Sequence, residues 1–165
     1  MRLTPSRIAL AIAGGALSIT CVTAQPTSGT LSAPLRAHLQ NERFDVVTSI
    51  RGLPLDVRNE LQKLWGSATL DIAEPGTAFQ QSGAAANPQL PSRRLIAAGC
   101  AQDNHCLVHY ERGGSAATWH VMVFHWTPDT TRFEWGGTLS GGLSNIEAVR
   151  KSILSGAVKD HTGPW

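Results

Sequence analysis

Imidazole is the side chain best suited to acid–base and metal chemistry near neutral pH. From residue 105 onward this chain carries five histidines: His105, His109, His120, His125 and His161. Their spacing decides what they could do together. His105 and His109, four apart on an extended strand, share a face but stand about 13 Å apart, too far for one metal ion. His120 and His125, five apart, point to opposite faces. One pair survives. A hairpin closing symmetrically about Gly114 sets His109 opposite His120, with side chains about 5 Å apart. Glu111 and Glu134 could then supply the carboxylate of a small metal or hydrolytic centre. The alternative is that both are hydrogen-bonded strand histidines, and the reading adopted here is that the chain holds no metal or other cofactor.

Other catalytic chemistry finds little support. There is no H-E-x-x-H, no closed Cys/His cluster and no G-x-S-x-G elbow. Gly113-Gly114 and Gly136-Gly137 are isolated pairs, which read as turns and a strand bulge and not as a phosphate cradle. Trp119, Trp126 and Trp135 suggest either a sugar-stacking platform or, more simply, core and cover.

The cysteines carry more information. Met1–Ala24 has a positive start (Arg2, Arg7), an uncharged apolar run Ile8–Ile19 and a small-residue cleavage site, Val22-Thr23-Ala24. This is the pattern of a secretory signal peptide. The run is shorter than the roughly 20 residues that span a bilayer. Cys21 within it is a lipidation candidate, but Ser18 and Thr20 stand where that signal has other residues. Export implies an oxidising compartment, periplasmic or extracellular. Cys100 and Cys106 then read as one disulfide closing a short loop, with two free thiols as the alternative. Such a closure is worth about 2–2.5 kcal/mol in the chain-entropy account. The clasped residues are Ala101, Gln102, Asp103, Asn104 and His105. A short polar loop held rigid is suited to binding a partner, because part of the ordering entropy is already lost.

The elements that must position these groups follow from periodicity. Gln25–Ala33 is a small, polar start of the exported chain, read as flexible. Leu35 and Leu39 open helical spacing from Pro34. Phe44–Ile50 is ambiguous and is read as helix from its neighbours. Pro54–Trp65 is a helix with Val57, Leu61, Leu64 and Trp65 on one stripe and Gly66 as its stop. Ser67–Ile72 reads as a short strand. Glu74–Pro91, rich in Gly, Ala, Gln, Asn and Pro, reads as a long connection with a partial strand at Thr77–Gln80. Strands follow at Arg94–Cys100, Cys106–Glu111, Thr118–Trp126 and Arg132–Leu139. The third is apolar on both faces, which marks a central strand covered on both sides. Ser144-Asn145-Ile146-Glu147 is a capping box opening a last helix that Gly156 ends. The expected fold is one α+β domain over 34–165, an antiparallel meander of four to five strands flanked by N- and C-terminal helices.

Composition limits the partners. The chain has 165 residues, 14 basic and 12 acidic. Loss of Arg2 and Arg7 with the leader lowers the basic count to 12, so the exported chain is neutral and lacks the footprint of a nucleic-acid binder. No later segment is apolar enough to span a membrane.

In its leader, N-terminal helices, antiparallel sheet and Cys-clasped loop, the chain resembles the Ivy family of periplasmic inhibitors of vertebrate-type (C-type) lysozyme. The residues that carry the resemblance are Leu95–Ala98 leading into Cys100, the loop with Asp103 and His105, and the later Leu154-Ser155-Gly156 and Lys159-Asp160-His161. The family's loop, C-K-P-H-D-C, enters the lysozyme cleft and its His engages the catalytic carboxylates. The resemblance implies that His105 would do so here, with Gln102, Asp103 and Asn104 filling polar positions around it. This loop is one residue longer, and His105 abuts Cys106, which re-aims the imidazole. The expected function is therefore an exported, non-catalytic binding protein whose partner is a lysozyme or another protein. The alternatives are an envelope protein with a structural or interaction role, and a small metal protein or hydrolase built on His109 and His120.

Overall fold

The computed structural model describes residues 30–81, 87–102 and 104–165. The expected signal peptide, Cys21, the first residues of the exported chain, Asp103 and part of the long connection lie outside these residues. The elements run α1 (Ala33–Asn41), β1 (Asp45–Val47), a 3-10 turn (Ile50–Gly52), α2 (Leu55–Trp65), β2 (Arg93–Cys100), β3 (His105–Arg112), β4 (Thr118–Trp126), β5 (Thr131–Leu139), α3 (Ile146–Leu154) and β6 (Lys159–Asp160). The six strands form one antiparallel sheet in the order β1-β2-β3-β4-β5-β6, so every strand lies beside its neighbours in sequence. This is the expected α+β meander with one or two more strands than expected. The additions are short edge strands, of the kind that limit edge-to-edge pairing.

Helices cover both faces of the sheet. On one face α2 brings Val57 and Leu61 onto Leu95, Val108, Tyr110, Met122, Phe124 and Phe133. On the other, α1 (Leu35, Leu39) and α3 (Ile146, Val149, Ile153) cover Leu107, Val121, Val123 and Trp135. The alternation along β4 explains its unbroken apolar run: Val121 and Val123 serve one core, Met122 and Phe124 the other.

Local chemistry sets the helix ends. The Ser32 hydroxyl accepts from the Leu35 amide at the start of α1, and Leu31 already packs on the core. Gly66 ends α2 at φ 62°, where a side chain would be strained. At α3 the cap is Asn145, whose Oδ1 accepts from the Ala148 amide at 2.8 Å, and not Ser144 as the capping-box reading had it.

Three sequence expectations are corrected. Phe44–Ile50 is not helix: Asp45–Val47 pairs with Ala98–Cys100 as an edge strand, as its β-branched residues favour, and a 3-10 turn follows. Ser67–Ile72 is not a strand, and the edge of β2 is paired with β1 only at Ala98–Cys100. Elsewhere that edge takes a single parallel bridge, Ala73 to Arg94. Thr77–Gln80 is not a strand either; Gln80 N–H donates to the Pro91 carbonyl within an otherwise irregular connection.

Candidate functional site

The expected pairing of His109 with His120 does not form. The β3–β4 hairpin is slipped by one residue, so His109 faces Val121 and His120 faces Tyr110. One residue of slip moves a side chain to the other face of a sheet, and the two histidines sit on opposite faces. Both are buried core residues; His109 has both ring nitrogens hydrogen-bonded, whereas the buried Nδ1 of His120 has no hydrogen-bond partner among the described residues. His109 donates Nδ1–H to the His120 carbonyl at 2.8 Å and accepts from the Leu143 amide at Nε2, 3.0 Å away. Burial pushes its pKa down. His120 stacks flat on Tyr110 and lies 2.9 Å from the Thr118 hydroxyl. Burial, followed by the charges of His161, Arg112 and Arg93, lowers its pKa to about 4. The expected carboxylates are committed elsewhere: Glu111 pairs with Arg94 and Glu134 with His105. The tryptophans make no common platform. Trp135 is buried with its indole N–H on Asp160, and Trp126 packs against the opposite core. Gly136 and Gly137 are not a bulge. Their bare backbones admit the Trp165 ring and strand β6, where an added Cβ would stand 2.5 Å from Trp165 and from the Lys159 carbonyl.

The disulfide is present. Cys100 and Cys106 are direct partners across β2 and β3, with Cα atoms 4.1 Å apart. Between them Ala101 is buried and its N–H donates to the His105 carbonyl, while Gln102 is exposed. The Asn104 carbonyl accepts from the Trp126 amide, which ties the loop to β4.

His105 does not project from this loop. It is only 2% exposed and its ring turns inward beneath the C-terminal end of α1. Nδ1 lies 3.0 Å from Glu42 Oε2, and Nε2 lies 3.1 Å from Glu134 Oε2. Both ring nitrogens are therefore engaged by carboxylates of the same chain. Burial alone would lower the His105 pKa, but hydrogen bonds to Glu134 and Glu42, reinforced by their charges, raise it above the ordinary value. The His105 hydrogen bond in turn lowers the Glu134 pKa against the effect of burial.

Four elements build this cluster. Glu42 is the C-cap of α1, and His38 one turn earlier shares its face at i, i+4, with Nδ1 2.6 Å from Glu42 Oε1. Asn104 donates its amide to Glu42. His125 on β4 is the cross-strand partner of His105, with ring centroids 5.6 Å apart. Glu134 is the extra residue where Val123 pairs with Trp135 and Phe124 with Phe133, a β-bulge that re-aims it towards His105. Arg132 stands 3.9 Å from the other Glu134 oxygen. Two groups with metal-ligand geometry result, His38–Glu42–His105 and His105–His125–Glu134, each with ligand atoms within 4.8 Å of one another.

Sequence reasoning found His105 and named Glu134, but for the wrong partner, and it missed His38 and Glu42. Their H-x-x-x-E spacing at a helix end was a readable signal. Nothing in the sequence tied them to His105, 63 residues further along. No family model, curated protein or solved structure matches this chain, so its function is argued from its own geometry.

Proposed function

We propose that this chain is an exported, non-catalytic binding protein that recognises its partner with the disulfide-clasped β2–β3 tip, the partner being a protein of the C-type lysozyme class. The observation that carries the reading is the set of ties on the residues that flank this tip. The tip is stapled at Cys100–Cys106, tied to β4 through Asn104, and anchored to α1 through Asn104 and His105. A turn fixed before binding loses little further entropy on docking. The side chain it offers is Gln102. Beside it runs a groove of about 270 Å³ lined by Val46, Val47, Pro54, Cys100 and Trp126, with Val46 68% exposed. Because His105 is held by Glu42 and Glu134, contact with the partner falls to Gln102, the outer edge of Asn104 and this groove. The disulfide supports export, and among the described residues no helix is long and apolar enough to cross a membrane.

The test is lysis of a bacterial suspension by a C-type lysozyme in the presence of the oxidised protein. A reduced and alkylated sample, checked for retained secondary structure, serves as the control. Inhibition at micromolar concentration, lost on reduction and weakened by Gln102→Ala and Val46→Glu, is the expected result. Full lysozyme activity at that concentration removes this partner class.

A further inference from the structure

We propose that His38, Glu42 and His105 form a binding site for one borderline divalent transition cation of the zinc class. The site shares His105 and Asn104 with the anchoring of the loop, but metal uptake and lysozyme inhibition are read by separate measurements, so either can fail without the other.

His38 Nδ1 and His105 Nδ1 lie 2.6 Å and 3.2 Å from the same oxygen, Glu42 Oε1. Tetrahedral zinc with bonds of about 2.0–2.1 Å sets its ligand atoms about 3.3 Å apart. The His105–Glu42 spacing already matches. The His38–Glu42 spacing must open by less than 1 Å or so, and His38 is free to do this because its side chain is 48% exposed on the last turn of α1. That exposed side also provides the access path, and the fourth position is left to water. Asn104, whose amide nitrogen lies 3.1 Å from His38 Nδ1, must release that nitrogen while it keeps its bond to Glu42.

The outer shell is also in place. Metal-binding imidazoles characteristically donate their second N–H to a carboxylate, which fixes the tautomer and orients the ring. Glu134 occupies that position on His105 Nε2 at 3.1 Å, held there by the β5 bulge. A dication on two neutral imidazoles and the Glu42 carboxylate carries one net positive charge, and Glu134 balances it. Donors of this kind, two nitrogens and one oxygen, suit zinc or copper(II) better than magnesium or calcium. Cys100 and Cys106 are oxidised to each other and compete for no metal. The second group, His105–His125–Glu134, uses the other ring nitrogen of His105. It is the poorer cation site because Arg132 stands beside Glu134.

The experiment uses protein expressed from the full chain without an affinity tag, stripped with a chelator and titrated with Zn2+ by calorimetry and with Co2+ by visible absorption. One equivalent of Zn2+ and the intense absorption of four-coordinate Co2+ are expected. His38→Ala, at a half-exposed helix position, should leave the circular dichroism unchanged and weaken Zn2+ binding about 10-fold or more. Glu134→Gln should weaken it about 10-fold through ring orientation, whereas His125→Ala should leave it unchanged. A protein that takes up no Zn2+ overturns the proposal. So does affinity that survives His38→Ala, or that is lost with His125→Ala alone.

Discussion

At the scale of single residues, the histidines of this chain divide by what surrounds them. His109 and His120 are held neutral by burial, whereas His105 is drawn towards its charged form by two carboxylates. His120 has a consequence for stability. Its folded pKa of about 4 lies below the ordinary 6.5, owing first to burial and then to His161, Arg112, Arg93 and His109, while Tyr110 and Trp165 wall the ring. Between those values the unfolded chain binds a proton that the folded chain refuses. Stability is therefore fully present above about pH 6.5 and falls as the pH drops towards 4, by up to about 3 kcal/mol. Urea unfolding across that range should show the slope, and His120→Phe, which keeps a ring on Tyr110 but cannot titrate, should lose most of it. A slope unchanged in the variant would move the effect to another group. That His120 lies against Tyr110 was not readable beforehand, because the hairpin register that decides its cross-strand partner depends on which residue centres the Arg112–Thr118 turn.

At the scale of elements, the long strands were legible because their patterns are strong. β4 was bounded correctly by its apolar run, and β2, β3 and β5 to within a residue at either end. Short segments were not. Val46-Val47 became a strand only because β2 offered an edge, and of the segment after α2 only Ala73 pairs with that edge, at Arg94. The Cys100–Cys106 bond was legible from spacing and compartment alone, and it links strands already paired from Arg93–Arg112 down to the cysteines themselves. Its contribution is therefore the loop-closure entropy, about 2–2.5 kcal/mol. Reduction should lower the thermal midpoint by about 5–10 °C and leave the sheet's far-ultraviolet signal intact. Collapse of that signal on reduction would show that the tip nucleates the sheet and does more than clasp it.

At the scale of the whole molecule, two helix layers enclose the sheet and the C-terminal segment closes what α2 leaves open. Trp165 packs on Phe133 and His161 beneath α2, occupies the space left by Gly136, and accepts from Arg93 through its carbonyl at 2.7 Å. Trp165→Ala should cost about 3 kcal/mol, the usual loss for a large buried aromatic, read as a lower urea midpoint. A loss below about 1 kcal/mol would show that the segment seals nothing. The sequence by itself determined the α+β class, the four long strands, the α2 and α3 helices and the cysteine pair. Each of these follows from periodicity or spacing within a short stretch of chain. Only the tertiary structure decided which histidines meet which carboxylates. His38 and Glu42, His105 and Glu134 come together through the docking of α1, the register of β3 on β4 and one extra residue in β5. The physical reason is that a strand's side chains alternate faces residue by residue, so a single step of register or a single bulge changes every neighbour without altering the local pattern.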